Sequence, residues 1–408
     1  MKSTKTLRSL AALSAVAAFS LFNSVRSYAQ GIKDYDFDIS GYIQADVAYG
    51  QKYARSMVGE IYRFNGQANK DFWRAGIARG LVRAAVTRGE WQAVAQINMT
   101  ENKIRPYSMF IKYSPDYLYN SNLIVGLQDQ IFGQECPGSS KYRESPERSI
   151  FISDLFNGVI ELGARAHWAP KQQISGFNQL GFDLMVTGGN SGGAFRKNTP
   201  DVIAKLILGN TGDKTSWQLG GSAYIGNVPQ VDEQSNIKRQ YWGAYGEFKQ
   251  KWAAGITSLR GEMITGWQPG RKNSNTVTGQ FVTTDQYFVK DDPILKRHFL
   301  GVSSTFMHEL PCAPLQAVVK FYHYDRNTKL SANDIAAQLD KDPKSLNAYN
   351  EGTHNVWGFG LNYWLANRSV RLTAYYEKVD HQKINSKNTI YSGNVNDDTF
   401  TFRMQYIF

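Results

Sequence analysis

The chain has 408 residues, of which 13% are aromatic and 42% hydrophobic, with two cysteines and a formal charge of +11. Two cysteines in this length exclude a disulfide-built scaffold, and the lack of a dense basic patch excludes nucleic acid as a partner. Beyond residue 30 no apolar run reaches the about 20 residues of a helical span, which excludes a helical membrane protein but not a barrel.

Lys2, Lys5 and Arg8 precede an apolar or small-residue run over 9–22, and Ser27 and Ala29 supply small residues at a cleavage point before Gln30. This pattern predicts a secretory signal peptide over 1–29 and a mature domain over 30–408. Without Lys2, Lys5, Arg8 and Arg26, 42 basic residues face 35 acidic ones, a charge of +7. An excess of that size fits an anion-handling protein without requiring one.

Alternation begins at Phe37. In F-D-I-S-G-Y-I-Q-A-D-V-A-Y, Phe37, Ile39, Ile43, Ala45, Val47 and Tyr49 share one face, and Asp38, Ser40, Gln44 and Asp46 the other. Period two is the mark of a β-strand. A-R-G-L-V-R-A-A-V-T from Ala78 and W-Q-A-V-A-Q-I-N-M from Trp91 alternate around Gly89 and read as a hairpin. Further alternating segments start at Ser108, Asn122, Val159, Leu180, Val202, Trp217, Tyr241, Thr257, Phe299, Gln316, Val356 and Val370. The last is T-F-T-F-R-M-Q-Y-I-F, where Phe400, Phe402, Met404, Tyr406 and Phe408 oppose Thr401, Arg403, Gln405 and Ile407. That makes sixteen strands.

The connections alternate in length. Arg88 to Glu90, Lys249 to Gly255, Glu309 to Leu315 and Leu365 to Ser369 are short; Gln134 to Asn157, Gln268 to Arg297, Asp325 to His354 and His381 to Asp398 are long. Short turns at one end and long loops at the other are expected of an outer-membrane barrel. The predicted fold is therefore an all-β transmembrane antiparallel barrel of about 16 strands, closed by pairing of the last strand with the first and wide enough for an aqueous channel. Ser331 to Leu346 is expected to hold a short helix in one outer loop. The sequence leaves open whether Cys136 and Cys312 pair.

In such a barrel the polar faces turn to the lumen, because a lysine or arginine against lipid at mid-membrane costs about 2–4 kcal/mol. Arg79, Arg83, Lys112, Arg165, Lys205, Arg260, Lys320, Arg371 and Arg403 fall on those faces, with fewer acids: Asp38, Asp46, Glu161, Asp183, Glu262 and Glu377. Cationic rows select anions, and the guanidinium fork suits phosphate and carboxylate. The plainer alternative is that these charges brace the wall. G-Q-E-C-P-G-S-S-K-Y-R-E-S-P-E-R-S-I-F, Gly133 to Phe151, follows the fifth strand and is the candidate constriction loop, with Lys141, Arg143 and Arg148 at the narrowest point.

Here the chain resembles the phosphate-selective porin O and P family of Gram-negative outer membranes. The resemblance rests on S-S-K-Y-R-E-S-P-E-R-S, D-V-I-A-K-L-I-L, L-R-G-E-M-I-T-G, G-L-N-Y-W-L-A-N-R-S-V-R-L and the closing T-F-R-M-Q-Y-I-F, in order from about Phe37 to Phe408. It implies a sixteen-stranded homotrimeric porin in outer-membrane lipid, passing phosphate or similar small anions. Selection would use basic residues of the wall and of the loop that carries Lys141, Arg143 and Arg148. No cofactor is implied.

Enzyme motifs fail on inspection. His308-Glu309 begins like a helical zinc motif, but Pro311 and Cys312 follow and the segment ends a strand. G-N-T-G-D-K-T from Gly209 has the wrong spacing for a phosphate loop and reads as a hairpin turn. His167, His298, His323, His354 and His381 show no metal-ligand spacing. A non-catalytic structural or adhesive barrel is the alternative function, and a barrel enzyme a more distant one.

Overall fold

The computed structural model describes residues 34–54, 70–101, 103–156, 159–170, 177–189, 199–229, 236–271 and 294–408; the predicted leader and residues 272–293 of the predicted Gln268 to Arg297 loop lie outside them. Sixteen antiparallel strands form one closed barrel. They are β1 Asp36–Gly50, β2 Phe72–Arg88, β3 Trp91–Met99, β4 Ile104–Tyr113, β5 Asn122–Asp129 and β6 Ile160–Trp168. Then come β7 Gln179–Thr187, β8 Asp201–Thr211, β9 Thr215–Pro229, β10 Asn236–Trp252 and β11 Gly255–Arg271. The last are β12 Ile294–Glu309, β13 Leu315–Asp325, β14 Thr353–Leu365, β15 Val370–His381 and β16 Thr399–Ile407. Every alternating segment of the sequence is one of these strands, in order. Each strand pairs with its neighbours in the chain, and β16 closes on β1 with Asp46 opposite Arg403. The Gly41 and Phe408 backbones exchange hydrogen bonds at 2.9 and 3.0 Å, so the final residue still takes part in closure.

The faces sort as the alternation requires. On β16, Phe400, Phe402, Met404 and Tyr406 are exposed on the outside, while Arg403 and Gln405 are buried on the inside. Trp91, Trp168, Trp252 and Tyr363 stand exposed near the short-turn ends of their strands, as in an aromatic belt. β8 and β9 are joined over 212–214, and β10 and β11 over 253–254; the opposite end carries the loops over 130–159, 326–352 and 382–398.

Those loops are folded. The 130–159 loop carries α1, Ile150–Leu155. The 326–352 loop carries α2, Ala332–Lys341, and α3, Ala348–Glu351. Ser331 caps α2 in a reciprocal box with Asp334, so the helix expected in that loop has its start signal in sequence. Ile335, Ala336, Leu339, Leu346 and Ala348 pack with Ile384 of the last loop into a small core outside the barrel. Both cysteines are free: Cys136 is buried in the 130–159 loop, and Cys312 is exposed in the β12–β13 turn.

The interior departs from a simple water-lined tube. Phe132, Phe151, Ile152, Leu155 and Phe156 of the 130–159 loop are buried against inward Met185, Ile203, Tyr224, Tyr241, Ile264, Phe299, Tyr322, Tyr324 and Val356. An apolar core therefore sits inside the barrel, along the β7–β14 wall. Each buried side chain of this kind contributes about 1.5–3 kcal/mol, enough for α1 to key the loop to that wall.

Candidate functional site

The 130–159 loop leaves β5 and is held first at Gly133. Its carbonyl accepts from Lys205 Nζ at 2.5 Å, and its N–H donates to Ser222 Oγ at 3.0 Å. Gly133 has φ +64°, and a Cβ there would overlap Glu262 Oε1. Only glycine meets both demands without strain. Glu262 accepts from the backbone N–H groups of Gln134 and Glu135, both at 3.0 Å.

The next stretch meets the opposite wall. Tyr42 and Ser140 share a 2.5 Å hydroxyl contact, Gln44 donates to the Ser140 carbonyl at 3.0 Å, and Gln405 donates to that of Lys141 at 3.1 Å. Asn362 donates to the Glu144 carbonyl at 2.9 Å, and Arg403 to that of Pro146 at 2.5 Å. The loop thus reaches β1, β14 and β16 at this end and β8, β9 and β11 at the other.

Three loop carboxylates meet wall cations. Glu135 pairs with Lys320 at 2.5 Å, and Glu144 with Arg260. Glu147 takes both Arg79, at 3.0 and 2.6 Å, and Arg403, at 2.8 Å. Arg403 also grips Asp46 through two 2.7 Å bonds across the barrel seam. Burial opposes the charge on Glu135, but the Lys320 ammonium and the Ser149 bonds outweigh it and bring the carboxyl down to about 2. Glu147 is likewise buried, yet Arg79 and Arg403 hold it well below the usual carboxylate range. All three stay ionised at neutral pH.

The other basic positions take different places. Arg143 is buried within the loop, 3.5 Å from the Pro146 carbonyl and 3.4 Å from that of Gly138. Arg148 donates to the carbonyls of Glu135, Cys136 and Gly138 at 3.1, 3.1 and 2.6 Å, tying the loop to itself. Lys141 is half-buried with its ammonium 4.9 Å from the Tyr142 ring. Arg83 pairs with Asp38 at 2.9 Å, and Arg165 with Asp183 at 2.7 Å. Lys112, Arg165 and His167 line a recess of about 730 Å³ in the wall with Asn122, Phe177 and Gln218. Arg371 is buried and donates to Gln405 at 3.1 Å, while its Nε has no hydrogen-bond partner among the described residues.

Glu135, Glu144 and Glu147 were missed in reading the sequence, because loop carboxylates follow no period. One signal was present: Ile203 and Ile264 share faces with Lys205 and Arg260, assigned to water, and an apolar patch inside a barrel favours something that covers it. S-I-F-I-S-D-L-F supplies that cover.

No family model and no curated protein matches the sequence. Among solved structures, the chain is similar to the outer membrane channel DcaP of Acinetobacter baumannii, with a TM-score of 0.58 and 14% identity over 92% of this chain and 98% of that one. It is also similar to OmpF of Salmonella typhi, solved in complex with daunomycin, with a TM-score of 0.51 and 9% identity over 92% and 98%. At these identities the likeness is one of fold: a closed sixteen-stranded barrel.

Proposed function

We propose that the chain is an outer-membrane porin, exported by a cleaved leader, that passively conducts small solutes with a preference for anions. The observation that carries the reading is a closed barrel with apolar residues outside, paired and unpaired charges inside, and a folded loop crossing between its walls. An outward apolar surface on a barrel suits lipid, whereas a soluble barrel turns that face inward. The crossing loop acts as the constriction. The preference for anions is assigned to Arg371, Lys141 and Lys112, which have no ion pair described above and, unlike Arg143 and Arg148, are not taken up by carbonyls of their own loop. Wall bracing accounts for Arg79, Arg260, Lys320 and Arg403, so both readings of the basic residues apply, at different positions. Phosphate is the solute suggested by the sequence resemblance, and a homotrimer the assembly.

Single-channel current in a planar bilayer under a KCl gradient, repeated with added phosphate, tests this. Stable steps with a reversal potential toward chloride are expected, and a phosphate-dependent block would mark a binding site at the loop. Cation-selective steps would overturn the anion preference alone. No steps from folded protein would favour a structural, adhesive or enzymatic barrel.

A further inference from the structure

The outer loops and the loop inside the barrel meet at one buried side chain. Arg326 follows β13, and its side chain is fully enclosed. Its Nε and Nη2 donate to Asp154 of α1 at 3.1 and 3.0 Å, and Nη2 also donates to the Tyr349 hydroxyl of α3 at 3.2 Å. Its Nη1 bonds Nδ1 of His354. The guanidinium lies 4.6 Å from the Tyr324 ring and 4.4 Å from the Tyr349 ring. His354 stands edge-on to His381 at 4.3 Å, and His381 Nε2 meets Asp397 of the last loop at 2.5 Å. One line of contacts therefore runs from α1, through Arg326 and His354, to the cap formed by both outer loops.

A guanidinium offers only donors, so the His354 nitrogen facing it must accept and carries no proton. Groups around His354 among the described residues include Arg326 and Tyr349 from the 326–352 loop, Tyr324 from β13 and His381 from β15. Asp154 stands behind Arg326, and Asp397 and Tyr391 stand behind His381. Nearby Glu351 is taken by Arg297 and Asn327. A proton on His354 would remove the acceptor and set an imidazolium against the guanidinium.

We propose that Arg326 and His354 form an acid-sensitive latch. With His354 neutral, Arg326 is held firmly between α1 and the outer cap. Protonation of His354 breaks that one bond; Arg326 keeps Asp154 and Tyr349, but the junction of α1 with the cap loosens and the outer mouth opens more often. The consequence for conductance rests on the porin reading; the latch itself does not.

The test is amide hydrogen exchange of the purified full-length barrel at about pH 7.5 and about pH 5.5, on either side of the ordinary imidazole range, alongside single-channel current. After correction for intrinsic chemistry, wild-type exchange over 150–156 and 327–351 should quicken about tenfold in acid, the population shift from losing one charge-assisted hydrogen bond. His354→Gln keeps an acceptor for Arg326 but takes no proton, and should show no such change. Arg326→Met should exchange fast at both pH values. Step size should rise in acid in the wild type and not in His354→Gln. Equal acid responses in wild type and His354→Gln would overturn the latch. Folded wild type without current steps would overturn the porin reading, and exchange would still decide the latch.

Discussion

Glu147 stands between two arginines, and that position sets what its loss would do. Glu147→Gln keeps the shape and removes the charge shared by Arg79 and Arg403; Arg403 retains Asp46, and Arg79 retains a 3.2 Å bond to Gln44. Breaking one partner of a largely buried pair weakens the hold on the loop by about 3 kcal/mol. Current noise should rise, and the reversal potential should move toward chloride as the interior loses one negative charge beside Arg79 and Arg403. Glu135 gives a pH signature of the same sense as the His354 latch, loosening in acid, but in a lower pH window. Its folded carboxyl is held at about 2 against an ordinary 4.5, so its pairing with Lys320 contributes fully above about 4.5 and is lost as pH falls toward 2. Hydrogen exchange over 133–149 should therefore stay flat from neutrality to about pH 4.5 and quicken only below it. At this scale the sequence was half readable. Period two assigns a side chain to a face, but does not say that a loop far along the chain will set a carboxylate against it.

Elements were the most legible level. Alternation is local and survives any tertiary arrangement that leaves one face wet, so all sixteen strands could be read one at a time, and turn length oriented them. The exception is α1. Its six residues are too few to stand out as a periodic helix, and its apolar residues make sense only against Ile203, Ile264 and Phe299, which come from other strands. Phe151 is the central key: it is fully buried, edge-on to Tyr322 at 6.3 Å and tilted against Tyr324 at 6.0 Å. Phe151→Ala should cost the loop's docking about 3–5 kcal/mol. The barrel ladder does not pass through it, so heat-modifiable gel migration should stay that of a folded barrel while exchange over 131–156 quickens. A variant that fails to fold at all would show that the interior core is needed to close the barrel.

For the whole molecule, the porin proposal turns on which interior charges a moving ion would meet. Glu147, Glu144, Glu135 and Asp46 balance Arg79, Arg403, Arg260 and Lys320, so those cations act on the loop more than on the solute. Net selectivity then falls to charges outside these pairs; of the buried ones, Arg143 is turned into its own loop, while Arg371 sits on the wall with its described hydrogen bond to the Gln405 amide. Removing either Arg371 or Arg403 subtracts one positive charge, so selectivity alone does not separate their roles. Mechanics does. Arg403 holds the Pro146 carbonyl, Glu147 and the barrel seam at Asp46, whereas the described hydrogen-bond link from Arg371 to the loop runs through Gln405. Arg371→Gln should therefore move the reversal potential away from chloride with step size and noise close to wild type. Arg403→Gln should move it and also raise the noise, because it loosens the loop and the seam together. If both variants shift selectivity and noise alike, the division between bracing cations and solute-facing cations is wrong, and the interior acts as a single charged network.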